Sequence, residues 1–175
     1  MAVLPDPMID PEALAIAEGL LAKTAVAFKR RDAALFARCI ALPHRLSTFG
    51  QTVVIEDIEG LNQTFYKVCD EFAKLGVTDL ARQCIAARFR DPDTIAQTHI
   101  SHVMAGQRRV KDPYPCFAIL KRHEGVWRVQ SSDYALEGHT SHAQALTWVS
   151  HPVREMPPPP LGPPGSSGPG GEPRP

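Results

Sequence analysis

Two pairs of strand-forming runs, each turned back on itself, dominate the second half of the chain. "LARQCIAARFR" and "TIAQTHISHVM" flank "DPDT", where Pro92 takes a favoured turn position. "YPCFAILKRH" and "VWRVQSSDYAL" flank Glu124-Gly125, a gap that suits a two-residue hairpin. Four long antiparallel strands in succession need apolar cover on at least one face.

The first half supplies that cover. Asp10 followed by Pro11 is a helix start, an N-cap acceptor before a proline at the first helical position. Leu14, Ala17, Leu21, Ala25 and Phe28 then recur at helical spacing. Asp32 caps a second short helix carrying Leu35, Phe36, Cys39 and Ile40, which Pro43 is expected to end. "HRLSTFGQTVVIED" reads as a hairpin turning at Gly50-Gln51. A third helix is expected from Ile58, with Leu61, Phe65, Val68, Cys69, Phe72 and Leu75 on one face and Gly76 as its C-terminal cap. Helices followed by a run of strands predict an α+β domain, with three helices packed on a curved antiparallel β-sheet.

Ten of the 17 prolines fall in the last 25 residues. That composition favours polyproline II and coil over a packed core. We therefore divide the chain into an N-terminal arm (1–9), a domain (10–151) and a disordered Pro/Gly-rich tail (152–175), whose PxxP spacings suit an aromatic groove. Cys39, Cys69, Cys84 and Cys116 lie far apart with no CxxC pair, which points to free thiols and a reducing, cytoplasmic setting. The formal net charge of +0 gives no long-range field for DNA or RNA. The basic run "QRRVK" has no aromatic platform beside it, so no nucleic-acid partner is expected. No run is apolar enough to span a bilayer, so no membrane partner is expected either.

The order of elements resembles the nuclear transport factor 2-like superfamily, in its SnoaL-like and ketosteroid-isomerase-like branch. The resemblance rests on "RRDAALFARCIALP", on "IEGLNQTFYKV", and on "HEGVWRVQSSDY" with Gly125 just before Trp127. It covers roughly residues 10 to 150. It implies a cone-shaped domain with a pocket between helices and sheet, and frequent homodimerisation through the outer sheet face. Val103, Ile95 and Phe117 are expected on that outer face.

Two histidine pairs, His99/His102 and His139/His142, raise the question of a metal site. Residues three apart on a strand point to opposite faces, so His99 and His102 cannot chelate one ion together. A short closing helix over "SHAQALTWV" would follow His139, and no second ligand motif accompanies it, so no metal is expected. With two-residue turns, Ile85 opposes Ile100, and His102 faces the pocket while His99, with Gln97 and Arg88, faces outward. The same reasoning sets Cys116 opposite Asp133 on the inner face of the last hairpin.

A carboxylate on an apolar face loses hydration and its pKa rises toward the range useful for acid–base work. Asp133 and His102 are therefore the expected catalytic pair. In the isomerase- and cyclase-like relatives, pocket carboxylates, histidines and tyrosines move protons beside a carbonyl. By that resemblance Tyr66 or Tyr134 would donate to a developing oxyanion. His44, after Pro43 on a short strand at the expected pocket rim, and Cys116, on the inner face of the last hairpin, are expected to contact substrate. No cofactor is expected. Two functions compete: a pocket protein for a small hydrophobic ligand, acting as a cofactor-independent isomerase, cyclase or dehydratase, and a non-catalytic binding or dimerisation module with a proline-rich interaction tail.

Overall fold

A computed structural model of the chain describes residues 8–147. Three helices come first, interrupted by one hairpin: α1 (Pro11–Arg30), α2 (Ala33–Cys39), β1 (Ile40–Ser47), β2 (Thr52–Ile55) and α3 (Ile58–Lys74). Strands follow: β3 (Asp79–Asp91), β4 (Thr94–Ala105), the two-residue β5 (Arg108–Arg109), β6 (Tyr114–His123) and β7 (Val126–Tyr134). A short α4 (Ser141–Leu146) comes last. The expected tail and the C-terminal domain boundary lie outside the described residues. The strands form one strongly curved sheet in the order β2-β1-β7-β6-β4-β3, with β5 beside β4. The helices cover its concave face, giving the α+β cone.

Local chemistry explains the element starts. Asp10 Oδ1 accepts from the Glu12 and Ala13 amides at 2.9 Å each, capping α1. Asp32 caps α2 through Leu35 N at 2.8 Å, and Asp57 caps α3 through Gly60 N at 2.8 Å. Gly76, at φ +67°, gives the left-handed turn after α3. The chain just before α1 is pinned to β3, because Asp10 N donates to Ala87 O and Ala87 N donates to Met8 O.

One boundary differs from expectation. Helix α2 stops at Cys39, and Pro43 lies inside β1 instead of ending the helix. The β1–β7 ladder shifts register between Ile40 and Arg45, so Pro43 falls where no ladder amide is needed. The sheet is also mixed, since β1 pairs with β7 in parallel.

The core has an aromatic centre. Phe65 from α3 sits 5.1 Å from Phe28 of α1 and 5.0 Å from Phe36 of α2, ring centre to ring centre. These contacts hold the three helices together above the sheet.

The β6–β7 turn places Glu124 at φ +51° and Gly125 at φ +78°, the pair of left-handed residues that a type I′ hairpin needs. Glutamate fits this position poorly, whereas asparagine reaches it at low cost. Glu124→Asn is expected to stabilise the domain by about 0.5 kcal/mol, read as a rise of about 1–2 °C in the thermal midpoint. An unchanged or lower midpoint would count against the turn assignment.

Candidate functional site

The concave face of the sheet and the helices above it enclose a cavity of about 60 Å³. Water occupies roughly 10–15 Å³ on this scale, so the space suits a few waters or a compact organic group. Leu20 and Leu21 of α1, Phe36 of α2, Leu61 and Phe65 of α3, and Leu120 of β6 form its apolar wall. The sheet side is different, and strand register explains why.

Cross-strand partners set three adjacent rows of inward side chains. Arg82, Ser101 and Tyr114 make the first row, His99, Cys116 and Tyr134 the second, and Gln97, Ala118 and Ser132 the third. A polar patch thus lies on the inner face of an otherwise apolar barrel wall. Of these residues, Arg82, Gln97, His99, Ala118, Ser132 and Tyr134 line the cavity, with His44 from β1 and Thr24 from α1 beside them.

Three β-bulges decide this arrangement, two in β3 and one in β7, and they correct the expected faces. In β3–β4 the register shifts between Cys84 and Ala86 and between Phe89 and Asp91. Gln83, not Ile85, therefore opposes Ile100. Ile95, Gln97, His99, Ser101 and Val103 are all buried, while the side chains alternating with His99 point outward. His99 faces the cavity and His102 lies on the opposite face of β4, the reverse of the expected pair. Ile95 and Val103 likewise belong to the core, and only Phe117 of the expected outer-face trio lies outside.

In β6–β7 an extra residue, Gln130, bulges between Val129 and Ser131. Tyr134, not Asp133, opposes Cys116. Asp133 points outward and pairs with Arg45 at 2.8 Å, both side chains being substantially exposed. Such a pair contributes about 0–1 kcal/mol.

The remaining expected site residues divide in the same way. Tyr134 and His44 stand in the cavity wall. Cys116 is fully buried on the inner face, in the row between His99 and Tyr134, and burial pushes its thiol pKa well up. Tyr66 is exposed on the far side of α3, under the Arg31 guanidinium at 5.7 Å, and does not reach the cavity. Among the described residues, no group of three or more His, Cys, Asp and Glu side chains could hold a metal ion. His139 precedes α4, whereas His142 lies within it, buried, with its Nε2 2.8 Å from Tyr114 Oη.

The electrostatics of the patch are set by burial. Arg82 is part-buried as a whole, but its guanidinium reaches inward, where Nη2 donates at 2.6 Å to both Leu21 O and Thr24 Oγ1. Burial lowers its pKa. Among the described residues, no Asp or Glu lines the cavity. Burial pulls the His99 imidazole down to about 3, and the Arg82 charge adds to the effect. Burial likewise pulls His44 down to about 4, partly offset by its hydrogen bond to Val129 O at 3.1 Å. Both rings are neutral at pH 7. The arrangement of the described residues is thus apolar above and polar below, with the positive charge of Arg82 on the polar side.

Sequence reasoning missed Arg82, Gln97, His99 and Ser132. Gln97 and His99 did stand out as residues sharing one strand face, but that face was assigned outward.

No protein-family model matches the sequence, and no curated protein matches it. Solved structures do share its shape. A cystatin-like-fold domain of unknown function from Nostoc punctiforme aligns with a TM-score of 0.60 at 12% identity, over 74% of this chain and 80% of the other. A nuclear transport factor 2-like protein of unknown function from Silicibacter pomeroyi aligns at 0.53 and 19% identity, over 74% and 100%. A proposed ketosteroid isomerase from Shewanella frigidimarina aligns at 0.51 and 14% identity, over 69% and 94%.

Proposed function

We propose, taking as premise that the chain has the nuclear transport factor 2-like fold, that it is a binding protein for a small molecule held between helices and sheet. The observation that carries this reading is the enclosed cavity, apolar on its helical side with convergent polar groups on its sheet side. Binding is favoured over acid–base catalysis because the carboxylate expected there, Asp133, points outward. The imidazoles that do line the cavity hold pKa values of about 3 and about 4, far from the value a general base needs near pH 7.

An isomerase-, cyclase- or dehydratase-like activity is a second reading. It is supported by the fold shared with the proposed ketosteroid isomerase and by Tyr134 and Arg82, which could stabilise a developing oxyanion without a cofactor.

A cavity-filling variant tests the binding reading. Ala118 is 1% exposed and lies between Gln97 and Ser132 in the third row, so Ala118→Leu puts three more carbons into the cavity. Small molecules bound by the natural chain at a hundredfold excess over Kd should stabilise it by about 2.7 kcal/mol. Ala118→Leu should fold and lose that stabilisation. Native mass spectrometry and a thermal-shift fragment screen read both results. Equal binding by the variant would place the ligand elsewhere.

The homodimer also belongs among the proposals. Exposed Ile85 and half-buried Ile100, Phe117 and Ile119 give the convex sheet face an apolar element. Light scattering on the full chain tests it, and a monomer at high concentration would remove it.

A further inference from the structure

A second hollow adjoins the cavity. It is a groove of about 420 Å³ between the C-terminal ends of α1 and α3 and the start of β3. Three elements line both spaces, one after the other. On α1, Leu21 and Thr24 border the cavity, and Val26 and Lys29 border the groove. On α3, Val68 borders the cavity, and Phe72 and Ala73 border the groove. On β3, Arg82 borders the cavity and Leu80 the groove. Cavity and groove therefore follow one another along the same helices and strand.

Phe28 stands where they meet. Among the described residues it alone lines both spaces. It lies one helical turn beyond Thr24, on the same face of α1. Its ring stacks on Phe65 of the cavity wall, centre to centre at 5.1 Å. It also meets Phe72 of the groove wall edge-on at 5.7 Å. The partition is thus a half-buried aromatic side chain, and turning it about its own χ angles breaks no backbone hydrogen bond.

The dimensions set the occupant. The cavity holds about four water-sized groups. From Thr24 to Lys29 the axis of α1 advances about 7.5 Å, roughly six methylenes of an extended chain. At the rim Lys29 pairs with Asp79 at 2.8 Å and Arg31 with Asp70 at 2.9 Å, all four side chains being exposed. Each rim cation thus already has its carboxylate, and the mouth offers no unbalanced charge to a charged head.

We propose that cavity and groove form one tunnel gated by the Phe28 ring, and that it takes an unbranched aliphatic chain of about eight to ten carbons with an uncharged polar head at the rim. This rests on the binding reading above and deepens it by naming the ligand class and its way in.

The test is calorimetric titration of the full chain at pH 7 with 1-butanol, 1-hexanol, 1-octanol and 1-decanol. Affinity should rise about fourfold per methylene and keep rising past the four or so carbons that the cavity alone holds. The branched isomer 2-ethyl-1-hexanol should bind at least about tenfold more weakly than 1-octanol. Octanoate and octylammonium should bind no more tightly than 1-octanol. Ala73→Trp, at an exposed position in the groove, should leave 1-butanol unchanged and abolish the gain beyond it. Phe28→Leu, which keeps an apolar side chain but removes the ring, should raise the 1-octanol to 1-butanol affinity ratio about fivefold. A gain that stops at 1-butanol, with 1-butanol binding lost in Ala118→Leu, would overturn the tunnel and leave the binding reading standing. A full gain in Ala73→Trp, equal binding of the branched isomer, or an unchanged ratio in Phe28→Leu would also overturn it. Tighter binding of either charged chain would overturn the assigned ligand class. No binding of any alcohol would count against both readings.

Discussion

Lowering the pH from 7 to 5 is expected to remove about 6 kcal/mol of folding stability, roughly 2 kcal/mol for each of three histidines. His44, His99 and His142 are 3%, 3% and 2% exposed. Burial is the main cause that pulls them down to about 4, about 3 and about 3. In the unfolded chain all three return to about 6.5. The unfolded state therefore binds more protons below that value, and stability falls as pH falls. The loss begins near pH 6.5 and levels off for His44 near 4 and for the other two near 3. Because folded domains hold only about 5–15 kcal/mol in total, unfolding is expected near pH 5 in the absence of denaturant. Urea titrations at pH 7, 6 and 5 measure the slope directly. His99→Asn should remove about a third of it. A stability independent of pH over this range would show that the imidazoles are solvated in the folded state.

Phe65→Ala is expected to cost about 3–5 kcal/mol and to lower the thermal midpoint by about 10–15 °C. Phe65 is 1% exposed, and its ring meets Phe28 and Phe36, so the truncation removes the contact shared by all three N-terminal helices. The same ring forms part of the cavity wall. The variant should thus be weaker as a fold but roomier as a container, accepting ligands larger than those of the natural chain. Differential scanning calorimetry with longer-chain ligands separates the two effects. A loss below about 1 kcal/mol would mean that the helices repack over the gap.

What the sequence made legible was local. Asp10-Pro11 and Asp32 start helices because capping needs only neighbouring amides, and Glu124-Gly125 turns the last hairpin because a two-residue loop admits few geometries. The candidate site was lost at the bulges. Arg82, Arg88 and Arg90 all carry even numbers, and an unbroken strand would place them on one face. The extra residue between Cys84 and Ala86 turns Arg82 inward, whereas Arg90 stacks on Phe117 outside at 5.6 Å. A bulge of this kind answers to sheet curvature, which depends on helices packed from elsewhere in the chain. The apolar count misled for a second reason. The inner face of β4 carries Gln97, His99 and Ser101 because it borders a cavity, so polarity did not mark the exterior there.

The parallel pairing of β1 with β7 has a consequence for how the chain comes to be folded. Ile40 meets Val129, about ninety residues downstream, and the sheet cannot close until that contact forms. During synthesis β1 can pair with β2 at once, but its other edge waits until nearly the whole domain has emerged. Throughout that wait the aromatic faces of α1 and α3 have no complete sheet to lie on. Closure is therefore a late, non-local event, expected in the millisecond-to-second range of domains dominated by distant pairings. The interval before it is when this chain is most open to aggregation and most dependent on chaperones.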